Sequence, residues 1–158
     1  MTDEGADTST AGGDQGAGAL ARRCAEVMYA ADEASRRLGI SIDQVGPGQA
    51  VARMTVDERM VNGHGIAHGG YLFTLADTAF AFACNTYGET TVASAAAITF
   101  VAPARLGDLL EATATERVRY GRNGVYDVTV RRDTETIAEF RGNSRTLGHR
   151  LLPDEEET

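Results

Sequence analysis

Between Gly70 and Cys84 the chain reads GYLFTLADTAFAFAC, apolar on nearly every side of a helix and carrying one charged residue, Asp77. A helix with so little polar surface has to be covered all round. The residues that follow are suited to cover it. From about Thr90 to Thr146 the chain is strand-like, in four runs: TVASAAAITFVAPARLGD, LLEATATERVRY, GVYDVTVRR and TIAEFRGNSRT. Gly121-Arg122-Asn123-Gly124 joins the second run to the third, a hairpin signal, and Asp133-Thr134-Glu135 joins the third to the fourth. Strands linked so tightly are antiparallel neighbours. Ile40 to Val56 adds two short strands around a Gly46-Pro47-Gly48 turn. Before them, Leu20, Cys24, Val27, Ala31, Ala34 and Leu38 recur at helical spacing, and Gly39 stands where such a helix stops. These patterns predict an α+β domain: a curved antiparallel sheet of about five strands wrapped around one long central helix, with an amphipathic N-terminal helix on its surface.

The chain has 158 residues, enough for one domain with a real core. Its net charge of −8 sits at the ends. Four of the 23 acids fall in residues 1–18 and four in 153–158, which leaves 15 acids to balance the 15 bases, all of them Arg. A balanced domain offers no basic footprint, so nucleic acid is not an expected partner. Residues 1–18 are Gly-rich, acidic and poor in large apolar groups, and are expected to be a disordered tail. The domain is placed at 19–148 and an acidic C-terminal tail at 149–158. Cys24 and Cys84 are too few for a disulfide framework or a thiolate metal site. The N-terminus lacks the pattern of a signal peptide, and no apolar run reaches the length of a membrane span. The expected setting is cytoplasmic, with no membrane partner.

The chemistry concentrates in NGHGIAHGGYLFTLADTAFAFACN, Asn62 to Asn85. His68-Gly69-Gly70 opens the central helix, where first-turn N–H groups lack intrahelical acceptors. Glycines there let a ligand carbonyl or phosphate approach closely. Such an amide can stabilise the oxyanion of an attacked ester or thioester, a contribution of about 3 kcal/mol per donor. Asp77, set among Leu75, Ala76, Ala79 and Phe80, is a buried acid that must be either paired or used. Asn62 and His68 stand near the helix entrance, where they can orient a substrate or a water. Each residue also has a plainer reading: Asn62-Gly63 as a turn, His68 as a helix cap, Thr78 bonded to its own helix, Phe73, Phe80 and Phe82 as core. A metal on His64, His68 and Asp77 is not expected, because their spacing does not match the helical pairing of zinc proteases.

Gly69 and Asp77 are eight residues apart, roughly 12 Å along a helix. An oxyanion donor and a carboxylate serving one carbonyl must each lie within about 3–4 Å of it. One helix cannot supply both. Two such helices packed antiparallel across a two-fold axis can, so a catalytic site of this kind requires at least a homodimer with composite sites.

The Asn62–Asn85 segment, together with ITFVAPARLGD, GRNGVYDV and AEFRGNSR, resembles the hotdog-fold acyl-CoA thioesterases of the phenylacetate-degradation type, the PaaI family. The likeness spans about residues 20–147. It implies a hotdog fold assembled as a dimer of dimers and hydrolysis of phenylacetyl-CoA or hydroxyphenylacetyl-CoA thioesters in phenylacetate catabolism. No metal or cofactor is implied, coenzyme A being part of the substrate. By this resemblance Asp77 is the catalytic carboxylate, as nucleophile or as general base, and Gly69 polarises the thioester carbonyl. Asn62 and His68 place the carbonyl or the water, with Gly70 and Thr78 in support. Coenzyme A phosphates call for Arg at the rim; Arg122 is the first candidate and Arg105 the second, against the plainer reading of solvated arginines. Two alternatives remain at this stage: a non-hydrolytic acyl-CoA-sensing module, and a hotdog enoyl-CoA hydratase or dehydratase.

Overall fold

The computed structural model describes residues 10–154. Three helices, α1 (Thr10–Ala31), α2 (Glu33–Arg37) and α3 (Gly69–Cys84), accompany six strands. These are β1 (Ser41–Gly46), β2 (Gln49–Thr55), β3 (Glu89–Phe100), β4 (Leu109–Tyr120), β5 (Asn123–Arg132) and β6 (Glu135–Arg150). They form one sheet in the order β1-β2-β4-β5-β6-β3, antiparallel at every step. The sheet curves around α3, the expected hotdog arrangement. It has six strands rather than about five, because all the short segments read from the sequence join a single sheet.

Alternation along the strands explains how the sheet holds the helix. Ala50, Ala52 and Met54 of β2, Leu110, Ala112 and Ala114 of β4, and Tyr126, Val128 and Val130 of β5 point inward and are buried. Their intervening neighbours face outward, as a period of two requires. The inward alanines leave room for α3, which buries Leu72, Leu75, Ala76, Ala79, Phe80, Phe82 and Ala83. Phe80 packs edge-on to Tyr126 at 5.6 Å, and Phe73 edge-on to Phe140 at 5.3 Å. A Cβ on Gly142 of β6 would stand 2.8 Å from the Phe80 ring, so glycine there is what admits the ring.

The C-terminal end of α3 is tied to the sheet. Asn85 closes the helix C-terminus: its Nδ2 donates to the carbonyls of Ala81 and Thr91, and its Oδ1 accepts from the Thr91 N–H. Beside it, one oxygen of Glu116 on β4 accepts from both Tyr87 (2.9 Å) and Tyr126 (2.8 Å).

The N-terminal region differs from the sequence reading in three respects. The helix starts at Thr10, so residues 10–18 prolong α1 instead of belonging to a disordered tail. Once a helix is nucleated, each added residue gains one backbone hydrogen bond. The earlier part of that tail lies outside the described residues. Next, the predicted single helix through Leu38 is broken at Asp32, whose carboxylate accepts from the Ser35 N–H and caps α2. Finally, α1 turns Ala21 and Cys24 into the protein and leaves Val27 exposed, so its packed face is rotated from the predicted one. At the other end, β6 runs to Arg150, the Leu151 N–H donates to the Gly88 carbonyl, and Leu152 is buried. Residues 149–152 therefore belong to the domain, not to an acidic tail. Residues 155–158 lie outside the described residues.

Candidate active site

The loop before α3 is shaped by its own short-range bonds. Asn62 Oδ1 accepts from the backbone N–H of His64 (2.9 Å) and Ile66 (3.2 Å). That is the turn-forming behaviour of asparagine, and it leaves the exposed Nδ2 without a bond among the described residues. The Ala67 N–H donates to the Ala104 carbonyl and the His68 N–H to the Met60 carbonyl, which fixes the approach to the helix.

His68 is the N-cap of α3. Its Nδ1 accepts from the Gly70 N–H at 3.0 Å. A ring that accepts at Nδ1 carries its proton on Nε2 when neutral, leaving that N–H to donate outward. The Gly70 amide is thereby engaged, and the Tyr71 N–H is taken by the His68 carbonyl. The Gly69 N–H has no acceptor among the described residues. The ring of Phe100, at the end of β3, covers the α-carbon of Gly69: a Cβ there would meet its Cζ at 2.7 Å. Phe100 itself is 54% exposed. Gly69, Phe100, Leu72, Ile66 and Val101 contribute to an apolar groove of 380 Å³.

Asp77 lies two turns further along α3, half-buried, and its carboxylate has no hydrogen bond or ion pair among the described residues. Burial alone raises its pKa above the ordinary aspartate value. This is an acid neither tied to an arginine nor spent on a helix end. Thr78, the next residue, is placed otherwise. Its hydroxyl donates to the Thr74 carbonyl at 2.8 Å and lies 3.2 Å from the Ser35 hydroxyl of α2, buried on the side of α3 that faces the small helix.

The structure thus brings Asn62, His68, Gly69 and Gly70 together at the head of α3. It places Asp77 about 12 Å down the same helix. Arg122 is elsewhere: in the β4–β5 turn, its Nε donates to the Thr146 carbonyl at 3.2 Å, and it shares a small cleft with Cys84 and Tyr87 near the C-terminal end of α3. Arg105 is the one of the two near the loop, paired through its backbone with Ile66. Phe100 was not foreseen. Its signal was an aromatic residue ending a strand just before a Val-Ala-Pro turn, and nothing local announced which residue it would cover.

Comparison with known proteins decides the family. Residues 64–139 match the sequence pattern of the thioesterase superfamily. The chain is 48% identical to the acyl-coenzyme A thioesterase PaaI of Escherichia coli K12 over 125 residues, which is 78% of this chain and 89% of that protein. The chain belongs to the thioesterase superfamily. A solved structure of the E. coli PaaI protein from the phenylacetic acid degradation operon superimposes with a TM-score of 0.83 at 45% identity, covering 84% of this chain and 97% of that one. A Streptococcus mutans protein solved with acetyl-CoA bound superimposes with a TM-score of 0.67 at 25% identity, covering 70% of this chain and 90% of that one. As a thioesterase-superfamily member of this similarity, the chain is a thioester hydrolase. No helix among the described residues is long and apolar enough to cross a membrane.

Proposed function

We propose that this thioesterase hydrolyses acyl-CoA, with phenylacetyl-CoA and ring-hydroxylated phenylacetyl-CoA as its preferred class, in composite sites of a homodimer that pairs into a homotetramer. The observation that carries the reading is the pairing, on one helix, of a Gly69 amide and a half-buried Asp77 carboxylate that have no bonded partner among the described residues and stand too far apart to serve the same carbonyl. A second copy with its α3 antiparallel sets the Asp77 of one protomer beside the Gly69 of its partner.

The sheet edge supports that assembly. β3 is an edge strand of 12 residues whose stretch from Val92 to Ala97 is exposed and consists mostly of Ala and Ser. A long uncovered edge with small side chains invites pairing with another strand, and pairing with its own copy gives the closed two-fold symmetry typical of dimers. The E. coli relative named as an acyl-CoA thioesterase and the S. mutans neighbour holding acetyl-CoA point to a CoA thioester as the substrate.

In this reading the Gly69 N–H, at the positive end of α3, donates to the thioester oxygen and stabilises the negative charge that grows on it. Asp77 of the partner subunit, raised in pKa by burial and so more basic than an ordinary aspartate, attacks the carbonyl carbon or takes a proton from the attacking water. On the water route the hydroxyl adds to the carbonyl carbon, the C–S bond breaks, and the proton held by Asp77 passes to the sulfur, giving the coenzyme A thiol and the free acid. On the direct route the C–S bond breaks to leave an acyl–Asp77 anhydride, the thiolate takes a proton from water, and a second water hydrolyses the anhydride to the free acid and Asp77. The Asn62 Nδ2 and the His68 Nε2–H are the remaining donors at the helix head for the carbonyl or the water. Thr78, spent on Thr74 and Ser35, supports the helix. No cofactor enters the scheme.

The test is thiol release across phenylacetyl-, hydroxyphenylacetyl-, benzoyl- and medium-chain CoA esters, with Asp77→Ala assayed for both turnover and ester binding. Lost turnover with retained binding is expected. Wild-type binding without any turnover would sink the hydrolase reading. Mixed dimers of Asp77→Ala with a Gly69-region variant should recover part of the activity, and no recovery would exclude shared sites.

A further inference from the structure

We propose that Phe100 is a specificity-determining residue that holds the acyl group of the substrate in the groove beside Gly69; this rests on the thioesterase reading above. The ring is anomalous for its position. It is large, aromatic and 54% exposed, yet its tip closes on the α-carbon of the residue whose amide is unbonded. Whatever is attached to a carbonyl held by that amide therefore lies against this ring.

The chemistry of the groove selects which side of the thioester lies there. Ile66, Ala67, Leu72, Phe100 and Val101 present hydrocarbon, with the buried Leu72 beneath. The backbone polar groups along it are largely consumed within the protein. The N–H groups of Val101 and Ala102 donate to the Ile137 carbonyl, that of Ala67 to Ala104, and the Pro103 carbonyl accepts from Arg132. The pantetheine arm of coenzyme A carries two amides, and amides buried in such a groove would lose their hydrogen bonds. A benzyl group has none to lose, and it gains an edge-to-face or offset contact with the Phe100 ring. The acyl chain is the better match.

The pattern this produces is selective, because removing the ring withdraws contact from a large acyl group and hardly any from a small one. The experiment compares kcat/KM for phenylacetyl-CoA, hexanoyl-CoA and acetyl-CoA in the wild type, Phe100→Ala and Phe100→Leu, with thermal stability and solution mass measured on each. The phenylacetyl-to-acetyl ratio should fall roughly tenfold or more in Phe100→Ala, with Phe100→Leu between, at unaltered mass. An equal fall for all three esters, or an unchanged ratio, overturns the proposal, since the ring would then touch the common coenzyme A arm or only the protein. A loss of the dimer together with a uniform fall also overturns it, by making Phe100 an interface residue. A wild type that turns over none of the esters fails earlier and sinks the hydrolase reading itself.

Discussion

The Phe100 ring lies where a side chain at Gly69 would have to project, with only 2.7 Å between its Cζ and the position of a Cβ. Glycine at 69 is therefore what lets the ring rest there, and a side chain would have to displace it; the φ of Gly69 is not in the left-handed region, and an alanine backbone would be unstrained there. Gly69→Ala should lower kcat/KM for acetyl-CoA by about 10- to 100-fold, the upper figure being the full loss of an oxyanion donor worth about 3 kcal/mol. Adding Phe100→Ala to Gly69→Ala should return much of that activity, because the collision is gone. Steady-state kinetics of the four proteins form a double-mutant cycle. Additive losses would mean that the ring and the amide are independent.

Asp77 links activity to stability. Burial raises its folded-state pKa above the unfolded value of about 3.9. A group raised in this way contributes its stability fully below the unfolded value and loses it as pH rises through the folded value. At neutral pH the charged, partnerless carboxylate is thus a net cost. Asp77→Asn should abolish turnover yet gain about 1 kcal/mol, a few degrees in Tm, with the gain vanishing near pH 3. The acid limb of wild-type kcat/KM should also sit above the ordinary aspartate range. A less stable Asp77→Asn at pH 7, found by denaturant titration, would contradict the assignment of this acid as unpaired.

Much of this is local and therefore legible in the chain. The all-round apolar pattern of α3, the alternation of β4 and β5, and the Gly121 and Asp133 turns each depend on residues close in sequence. Asp77 was conspicuous for the same reason, a lone acid in an apolar helix. What escaped was relational. The break at Asp32 hides because the apolar spacing runs straight through it, and only the cap to Ser35 reveals it. Thr78 looks like a site residue by adjacency to Asp77, but helical geometry turns neighbouring residues about 100° apart, so it faces Ser35 instead. The cover of Gly69 by Phe100 joins residues 31 apart and no periodicity encodes it.

Glu116 of β4 joins Tyr87, just past the end of α3, to Tyr126 of β5. One of its oxygens accepts from two phenols, and Arg119 stands 3.4 Å from the same atom with its guanidinium carbon 3.5 Å from the Tyr87 ring centroid. Burial, together with this carboxylate, raises the pKa of Tyr87 to about 12 and pushes that of Tyr126 up as well. Glu116→Ala strips two hydroxyls of their acceptor at once. It should cost about 2–4 kcal/mol, from about 1–3 per stranded polar group discounted for partial access to water. Urea titration measures this directly. A cost below about 0.5 kcal/mol would show that the phenols find water instead.

Arg105 and Arg122 make opposite predictions for coenzyme A recognition. Arg122 is committed to the Thr146 carbonyl near the C-terminal end of α3. Arg105 follows Ala104, which lines the groove, and its exposed guanidinium has no hydrogen bond among the described residues. A coenzyme A phosphate that reaches the loop after β3, once the pantetheine arm has left the groove, would be met by Arg105. Exposure and salt screening keep the effect modest, so Arg105→Ala should raise KM for phenylacetyl-CoA about threefold to tenfold, and less so at high ionic strength. The same substitution should leave KM unaltered for phenylacetyl-pantetheine, which lacks the nucleotide. Arg122→Ala should raise KM less on either substrate. Equal effects of Arg105→Ala on the two substrates would remove the phosphate from its role, and a larger effect of Arg122→Ala would move the nucleotide to the other end of α3.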